Sequence, residues 1–144
     1  MHLGDGVKIQ NNVLVCEGVT LEDHVFCGSG VAFTNVPNPR SEIVRKDELC
    51  ATLVRRGASL GANATLRCGA TIGAYGFVGA GAVVLEDVPD HALVVGNPAR
   101  QIGWMCRCGH RIERVEAEGR RRCVACGELY APEGAGLVAI ADET

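Results

Sequence analysis

At 144 residues with a formal net charge of −3, the chain has room for one compact domain and a small appendage, and its charge balance offers nothing to a polyanion, so no nucleic acid is expected as a partner. Aromatic residues make up only 4% while glycine numbers 19, which suits a thin repeat stack better than a core of large side chains. No apolar run approaches the roughly 20 residues of a membrane span, and the opening Met1-His2-Leu3-Gly4-Asp5 lacks the basic and apolar regions of a secretory leader; the expectation is a cytoplasmic protein without membrane insertion, its eight cysteines reduced or bound to metal.

From the start of the chain an apolar residue returns at every sixth position, at Leu3, Ile9, Val15, Leu21, Cys27 and Phe33, and Val7, Val13, Val19, Val25 and Val31 keep a second column in the same period. A helix of period about 3.6 or a flat strand of period about 2 would not produce this spacing. A six-residue repeat is the signature of a parallel β-helix, in which each hexad makes one short strand and turns a corner, and successive coils stack at strand spacing. Gly, Ala and Asn at the corners permit the tight turns.

After Phe33 the register breaks. Val36-Pro37-Asn38-Pro39-Arg40 opens an insertion with two prolines, and the following stretch to Leu53 is mixed and charged, as befits a loop over residues 36–53 projecting from a corner. It either reaches a ligand or a neighbouring subunit, or is a tolerated surface insertion. The period resumes at Val54, Leu60, Leu66, Ile72, Val78 and Val84, with small residues at Ala58, Ala64, Ala70, Gly76 and Ala82. If three hexads make a coil, the two runs make about four coils over residues 1–103, an all-β architecture.

The repeat closes through Val94-Val95-Gly96-Asn97-Pro98-Ala99-Arg100. Hexads followed by this segment resemble the hexapeptide-repeat acyltransferases, left-handed β-helix trimers that move an acyl group from a coenzyme A thioester to an amine or hydroxyl. A narrower resemblance lies in Lys8-Ile9-Gln10-Asn11-Asn12-Val13, Val25-Phe26-Cys27-Gly28, Val31 to Arg40, and Arg100-Gln101-Ile102-Gly103-Trp104-Met105. These are similar to the N-acetyltransferases that acetylate the 3-amino group of UDP-2-acetamido-3-amino-2,3-dideoxy-glucuronate for bacterial surface polysaccharide. Members of that family usually carry two to three further coils before the stretch matching Leu3, so the alternative to an enzyme is a shortened, non-catalytic assembly or binding module.

The resemblance implies a left-handed winding, acetyl-CoA as co-substrate, a nucleotide-sugar acceptor and a homotrimer. It places Asn35 at the substrate amine and Asn12 near the sugar nucleotide. Arg40 and Lys46 could meet the sugar carboxylate or diphosphate, since Arg offers a bidentate fork and Lys a point charge; solvated side chains are the alternative on so charged a loop. Asn35 could equally be a corner residue satisfying its own turn. Small residues Gly61, Gly79, Ala80 and Gly81 are candidates for contact with the coenzyme arm, and Arg100 for its phosphates. No catalytic His is required, because thiolate leaves readily and orientation with hydrogen-bond donors supplies most of the rate. His24 is read as a surface corner residue, a base role being the alternative, and His91 sits where the family often has Tyr; neither is assigned to the site.

The tail carries two short knuckles, Cys106-Arg107-Cys108-Gly109-His110 and Cys123-Val124-Ala125-Cys126-Gly127. Gly after each second Cys permits the turn that aims backbone amides at thiolates, and Cys106, Cys108, Cys123 and Cys126 could close around one structural zinc. That would staple a zinc-ribbon-like module over residues 104–130, too small for a core of its own. His110 could replace one thiol, and unliganded cysteines are the alternative. Arg120-Arg121-Arg122 faces Glu113, Glu116 and Glu118 and reads as a solvated hairpin; residues 131–144 lack a pattern and are expected to be a loose tail.

Overall fold

The structure, a computed structural model, describes residues 1–142. Five short strands precede the loop: β1 (His2–Leu3), β2 (Lys8–Ile9), β3 (Val19–Leu21), β4 (Phe26–Cys27) and β5 (Ala32–Phe33). Eight follow it: β6 (Thr52–Val54), β7 (Ser59–Leu60), β8 (Thr65–Leu66), β9 (Thr71–Ile72), β10 (Phe77–Val78), β11 (Val83–Val84), β12 (Ala92–Val95) and β13 (Arg100–Trp104). They make three sheets in the orders β1-β3-β6-β9, β2-β4-β7-β10-β12-β13 and β5-β8-β11. The chain visits the three faces in turn and pairs in parallel with the coil before, so that His2 lies beside Thr20 and Ser59 beside Phe77. This is the coil of three hexads that the resemblance implies.

The hexad aliphatics fill the interior. Leu21, Cys27, Val54, Leu60, Leu66, Ile72 and Val78 are fully buried, and Val25, Val31, Ala58, Ala64 and Ala82 complete the core from the second column. Leu3 and Ile9 occupy equivalent positions but are 43% and 38% exposed, since among the described residues their strands pair only with β3 and β4. One corner is held throughout by left-handed backbone at Asn12, Gly30, Asn63 and Gly81; another by Gly6, His24, Gly57, Tyr75 and His91. On the second corner rings alternate with glycines from Gly6 to Tyr75 and His91 then adds a second ring, and a Cβ at Gly57 would overlap the ring of Tyr75.

The loop leaves at the third corner and ends before Thr52, where β6 begins, so it is shorter than the expected 36–53 because Thr52 and Leu53 already pair with the coil before. The Cys50 N–H donates to the Asn35 carbonyl at 2.8 Å, closing the base of the insertion, and the register continues across it, with Ala32 beside Thr65. At the far end the chain turns through Gly96-Asn97-Pro98, and β13 runs back antiparallel to β12.

The appendage is a four-stranded antiparallel sheet of β14 (Arg114–Val115), β15 (Arg121–Arg122), β16 (Leu129–Glu133) and β17 (Gly136–Ile140). Residues 131–142 are therefore not the loose tail their composition suggests. β16 and β17 form a hairpin in register from Leu129↔Ile140 to Glu133↔Gly136; Leu137 is buried in the appendage's own core, and its N–H donates to Asp90 O of the β-helix. The expected hairpin around Arg120 is present: Arg114 pairs with Arg122 across β14 and β15, and Glu116 bridges both Arg114 and Arg122. Glu143 and Thr144 lie outside the described residues.

Candidate active site and thiol cluster

A groove of about 1080 Å³ opens between the loop and the β5-β8-β11 face. Its floor carries Thr65, Arg67, Val83 and Leu85, side chains that alternate outward from the strands whose partners fill the core. Its wall is the loop, with Pro37, Pro39, Ile43 and Leu49 apolar and Arg40, Arg45 and Lys46 cationic. Asn35 and Glu17 stand at the corner where floor and wall meet. Three of the residues singled out from sequence, Asn35, Arg40 and Lys46, are thus brought to one cavity.

Their hydrogen bonding bears on the alternatives. Asn35 is half-buried, and its side-chain amide makes no hydrogen bond to any described residue, so it does not satisfy its own turn and is available to a ligand. Arg45 pairs with Glu48 at 3.4 Å, while its Nε is buried without a partner among the described residues. Arg40, Lys46 and Arg67 form no ion pair among the described residues. Three unpaired cations around one groove of mixed polarity suit a ligand with an apolar body and a multiply charged anionic group.

The other candidates lie elsewhere. Asn12 sits at a coil corner away from the groove, its left-handed φ of 59° explaining the residue type. Gly61, Gly79, Ala80 and Gly81 do share that corner column, stacked coil on coil, with Gly81 N–H donating to Ala62 O at 2.8 Å. Gly61 has a structural reason to be small, since a Cβ there would lie 2.5 Å from Ala80 N; Gly81 has open space around it. Arg100 is exposed and lines a second depression, shared with Leu85 of the first groove.

Sequence reasoning missed Arg67 and Glu17. Both were recoverable once the coil register was carried through the loop, which puts Arg67 one coil from Thr34, where Cys68 N–H donates to Thr34 Oγ1 at 2.9 Å. The loop length hid that register.

At the other end of the molecule the four tail thiols converge: the Sγ atoms of Cys106, Cys108, Cys123 and Cys126 all lie within 4.8 Å of one another. His110 Nδ1 is 3.4 Å from Cys108 Sγ but outside that group. Each knuckle turns on a glycine, Gly109 at φ 92° and Gly127 at φ 83°, with Gly109 N–H bonded to Cys106 O and Gly127 N–H to Cys123 O. Burial pushes the Cys106 thiol up to about 12. Burial would raise Cys123 too, but the backbone N–H groups of Cys126 and Ala125 hold it down to about 7. Four clustered sulfurs with amide donors around them fit a divalent, thiophilic ion in tetrahedral coordination, and such a closed shell leaves no position for water.

The β-helix has relatives of known structure. A hexapeptide-repeat acetyltransferase of Vibrio cholerae O1 biovar eltor, complexed with acetyl coenzyme A, superimposes with a TM-score of 0.64 at 31% identity over 71% of this chain and 58% of its own. The chain belongs to the hexapeptide-repeat acetyltransferase family. The three parallel-stacked sheets are consistent with the left-handed β-helix that the sequence resemblance implies. A dTDP-3-amino-3,6-dideoxy-alpha-D-galactopyranose 3-N-acetyltransferase of Aneurinibacillus thermoaerophilus is 43% identical over 55% of this hexapeptide-repeat chain and 40% of its own length. Serine acetyltransferase 2 of Arabidopsis thaliana is 34% identical over 71% of the chain and 28% of its own. The chain thus spans less than two thirds of these relatives. No protein-family model matches it.

Proposed function

We propose that the protein is an acetyl-CoA-dependent N-acetyltransferase acting on the 3-amino group of a nucleotide-linked amino sugar. The observation that carries this reading is the groove itself, where the uncommitted amide of Asn35 lies among Arg40, Lys46 and Arg67. A nucleoside-diphosphate sugar matches its three unpaired cations, and the sequence resemblance to UDP-diamino-glucuronate enzymes and the 43% identity to a dTDP-3-amino-sugar enzyme agree on acceptor class and on the reacting nitrogen. In the reaction the neutral amine forms a bond to the thioester carbonyl carbon as the C–S bond breaks. The electron pair leaves with sulfur, and the surplus ammonium proton passes to solvent or to the thiolate. Asn35 orients the amine by hydrogen bonding; Arg40, Lys46 and Arg67 anchor the anionic part of the acceptor. Gly79, Ala80 and Gly81 let the pantetheine arm approach the backbone, Asn12 contacts the sugar nucleotide across a subunit boundary, and Arg100 takes the coenzyme phosphates. The active assembly is a homotrimer in the cytoplasm.

The thiol cluster is read as a structural zinc site, held by Cys106, Cys108, Cys123 and Cys126. Its chemistry is stabilisation alone, because a small appendage gains its fixed shape from the bound ion.

The test is thiol release from acetyl-CoA, with and without UDP-2-acetamido-3-amino-2,3-dideoxy-glucuronate and its dTDP-3-amino-3,6-dideoxy counterpart. Release that depends on either amino sugar supports the reading and ranks the acceptors. Coenzyme A binding without release in the presence of either sugar overturns it in favour of a non-catalytic assembly module.

A further inference from the structure

The appended sheet is docked on the last coil through one short segment. Met105 N–H donates to His91 O at 2.7 Å, and Met105 O lies 2.8 Å from His91 Nδ1. From the other side Leu137 N–H donates to Asp90 O at 3.2 Å, and Gly136 approaches so closely that a Cβ would lie 2.9 Å from Asp90 N and O. His91 is itself stacked on Tyr75 at 5.3 Å between ring centroids, and the ring of Tyr130 tilts against it at 4.7 Å. A continuous column of rings therefore runs from the body of the β-helix into the appendage.

Tyr130 ends that column at the thiols. Fully buried, it receives a hydrogen bond from Arg107 N–H at 3.0 Å, and its oxygen lies 3.1 Å from Cys106 Sγ. Arg107 N–H donates to the oxygen, and the phenolic hydrogen is left to point at sulfur whenever Cys106 is the acceptor, as a thiolate must be. The interior around it is small: Cys106, Ile112, Cys123, Tyr130 and Leu137, with Trp104 alongside. Two of those five are thiols of the cluster, so apolar packing alone gives the appendage little to hold its shape.

We propose that Tyr130 is an outer-sphere partner of a metal ion bound by Cys106, Cys108, Cys123 and Cys126, and that metal occupancy through Tyr130 and His91 locks the appended sheet across the end of the β-helix. This rests on the zinc reading of the cluster. A thiolate at Cys106 strengthens the hydrogen bond from the Tyr130 hydroxyl, since bonds to ionised acceptors are the stronger class, and outer-sphere donors of this kind fix ligand geometry. The ion holds Cys106 next to Met105, and Met105 holds His91. Loss of the ion frees the ligand-bearing knuckle, and with it the two contacts that cover Asp90 and His91.

Two measurements on the full chain test this. The first is zinc affinity by competition with a chromogenic chelator, for the wild type and Tyr130→Phe, which keeps the ring against His91 and removes only the hydroxyl. The expected result is about 10- to 100-fold weaker binding by the variant; equal affinities overturn the link while leaving the zinc site standing. The second is amide hydrogen exchange of the wild-type protein with zinc and after chelation. Exchange at Met105 and Leu137 should rise sharply on metal removal while Gly61 and Gly28 in the middle coils stay protected. Unchanged protection at Met105 and Leu137 overturns metal-dependent docking even if Tyr130→Phe fails to fold. Failure of the wild type to bind zinc at all overturns the metal reading itself and the present one with it.

Discussion

The backbone N–H of Cys50 donates to the carbonyl oxygen of Asn35 across 2.8 Å. This single bond closes the loop onto the corner from which it leaves, and it fixes the backbone of Asn35 while leaving the side-chain amide uncommitted. A rigid backbone carrying an unsatisfied amide at the edge of a groove is the arrangement a substrate-orienting residue needs.

Replacing Asn35 by Ala should therefore separate activity from stability. Amino-sugar-dependent thiol release is expected to fall by about 10²- to 10³-fold, the usual loss when one preorganised hydrogen-bonding partner is removed at the reacting atoms. The thermal midpoint should not move, since the amide has no partner among the described residues. A variant that keeps full turnover would remove Asn35 from the site.

The unpaired cations predict a binding effect. Arg40→Gln and Arg67→Gln should each raise KM for the nucleotide sugar by about tenfold, corresponding to about 1.4 kcal/mol, with kcat largely retained and the difference shrinking as salt is added. Arg114→Gln, whose partner Glu116 lies in the appended sheet, serves as the control and should leave KM unchanged. Steady-state kinetics at low and high salt decide the matter, and an equal effect from Arg114→Gln would mean that overall charge alone is at work.

Two corner glycines distinguish coil stacking from coenzyme access. Gly61→Ala puts a Cβ 2.5 Å from Ala80 N, an overpacking expected to cost about 1–3 kcal/mol in urea unfolding. A Cβ at Gly81 would meet nothing within 4 Å, but the backbone there has a φ of +71°, so Gly81→Ala should cost about 1–2 kcal/mol from backbone conformation. Its additional signature is a raised KM for acetyl-CoA, because the new methyl points into open space. If acetyl-CoA kinetics are unaffected by Gly81→Ala, the arm does not pass this corner.

The stack was legible in the sequence because the β-helix repeats one local rule, and Leu60, Ile72 and Val78 carry it without interruption. The groove was only partly legible. Asn35, Arg40 and Lys46 are near one another along the chain, whereas Arg67 reaches them through a register that the loop conceals. The end of the chain was least legible: Tyr130 and Leu137 have no period, and their positions follow from packing against His91 and Asp90, contacts across more than a coil that no local pattern announces.

His91 offers a test of that docking by pH. Its imidazole is buried, and burial holds its pKa below the ordinary value of 6.5, opposed by the Met105 carbonyl and by the charges of Asp90 and Glu128 that face it. A depressed native pKa means that the unfolded chain takes up the proton first. The contribution to stability is thus complete above pH 6.5 and is lost as pH falls from that value through the native pKa, at up to about 1.4 kcal/mol per pH unit. His91→Asn removes the titrating group, retains an amide donor near the position of Nδ1, and tolerates the φ of 62° at this corner. Urea midpoints at about pH 7.5 and about pH 5.5 should diverge more for the wild type than for the variant. An identical pH dependence in both would show that His91 reaches solvent easily enough to be protonated in the folded state, and that the ring column does not shield it.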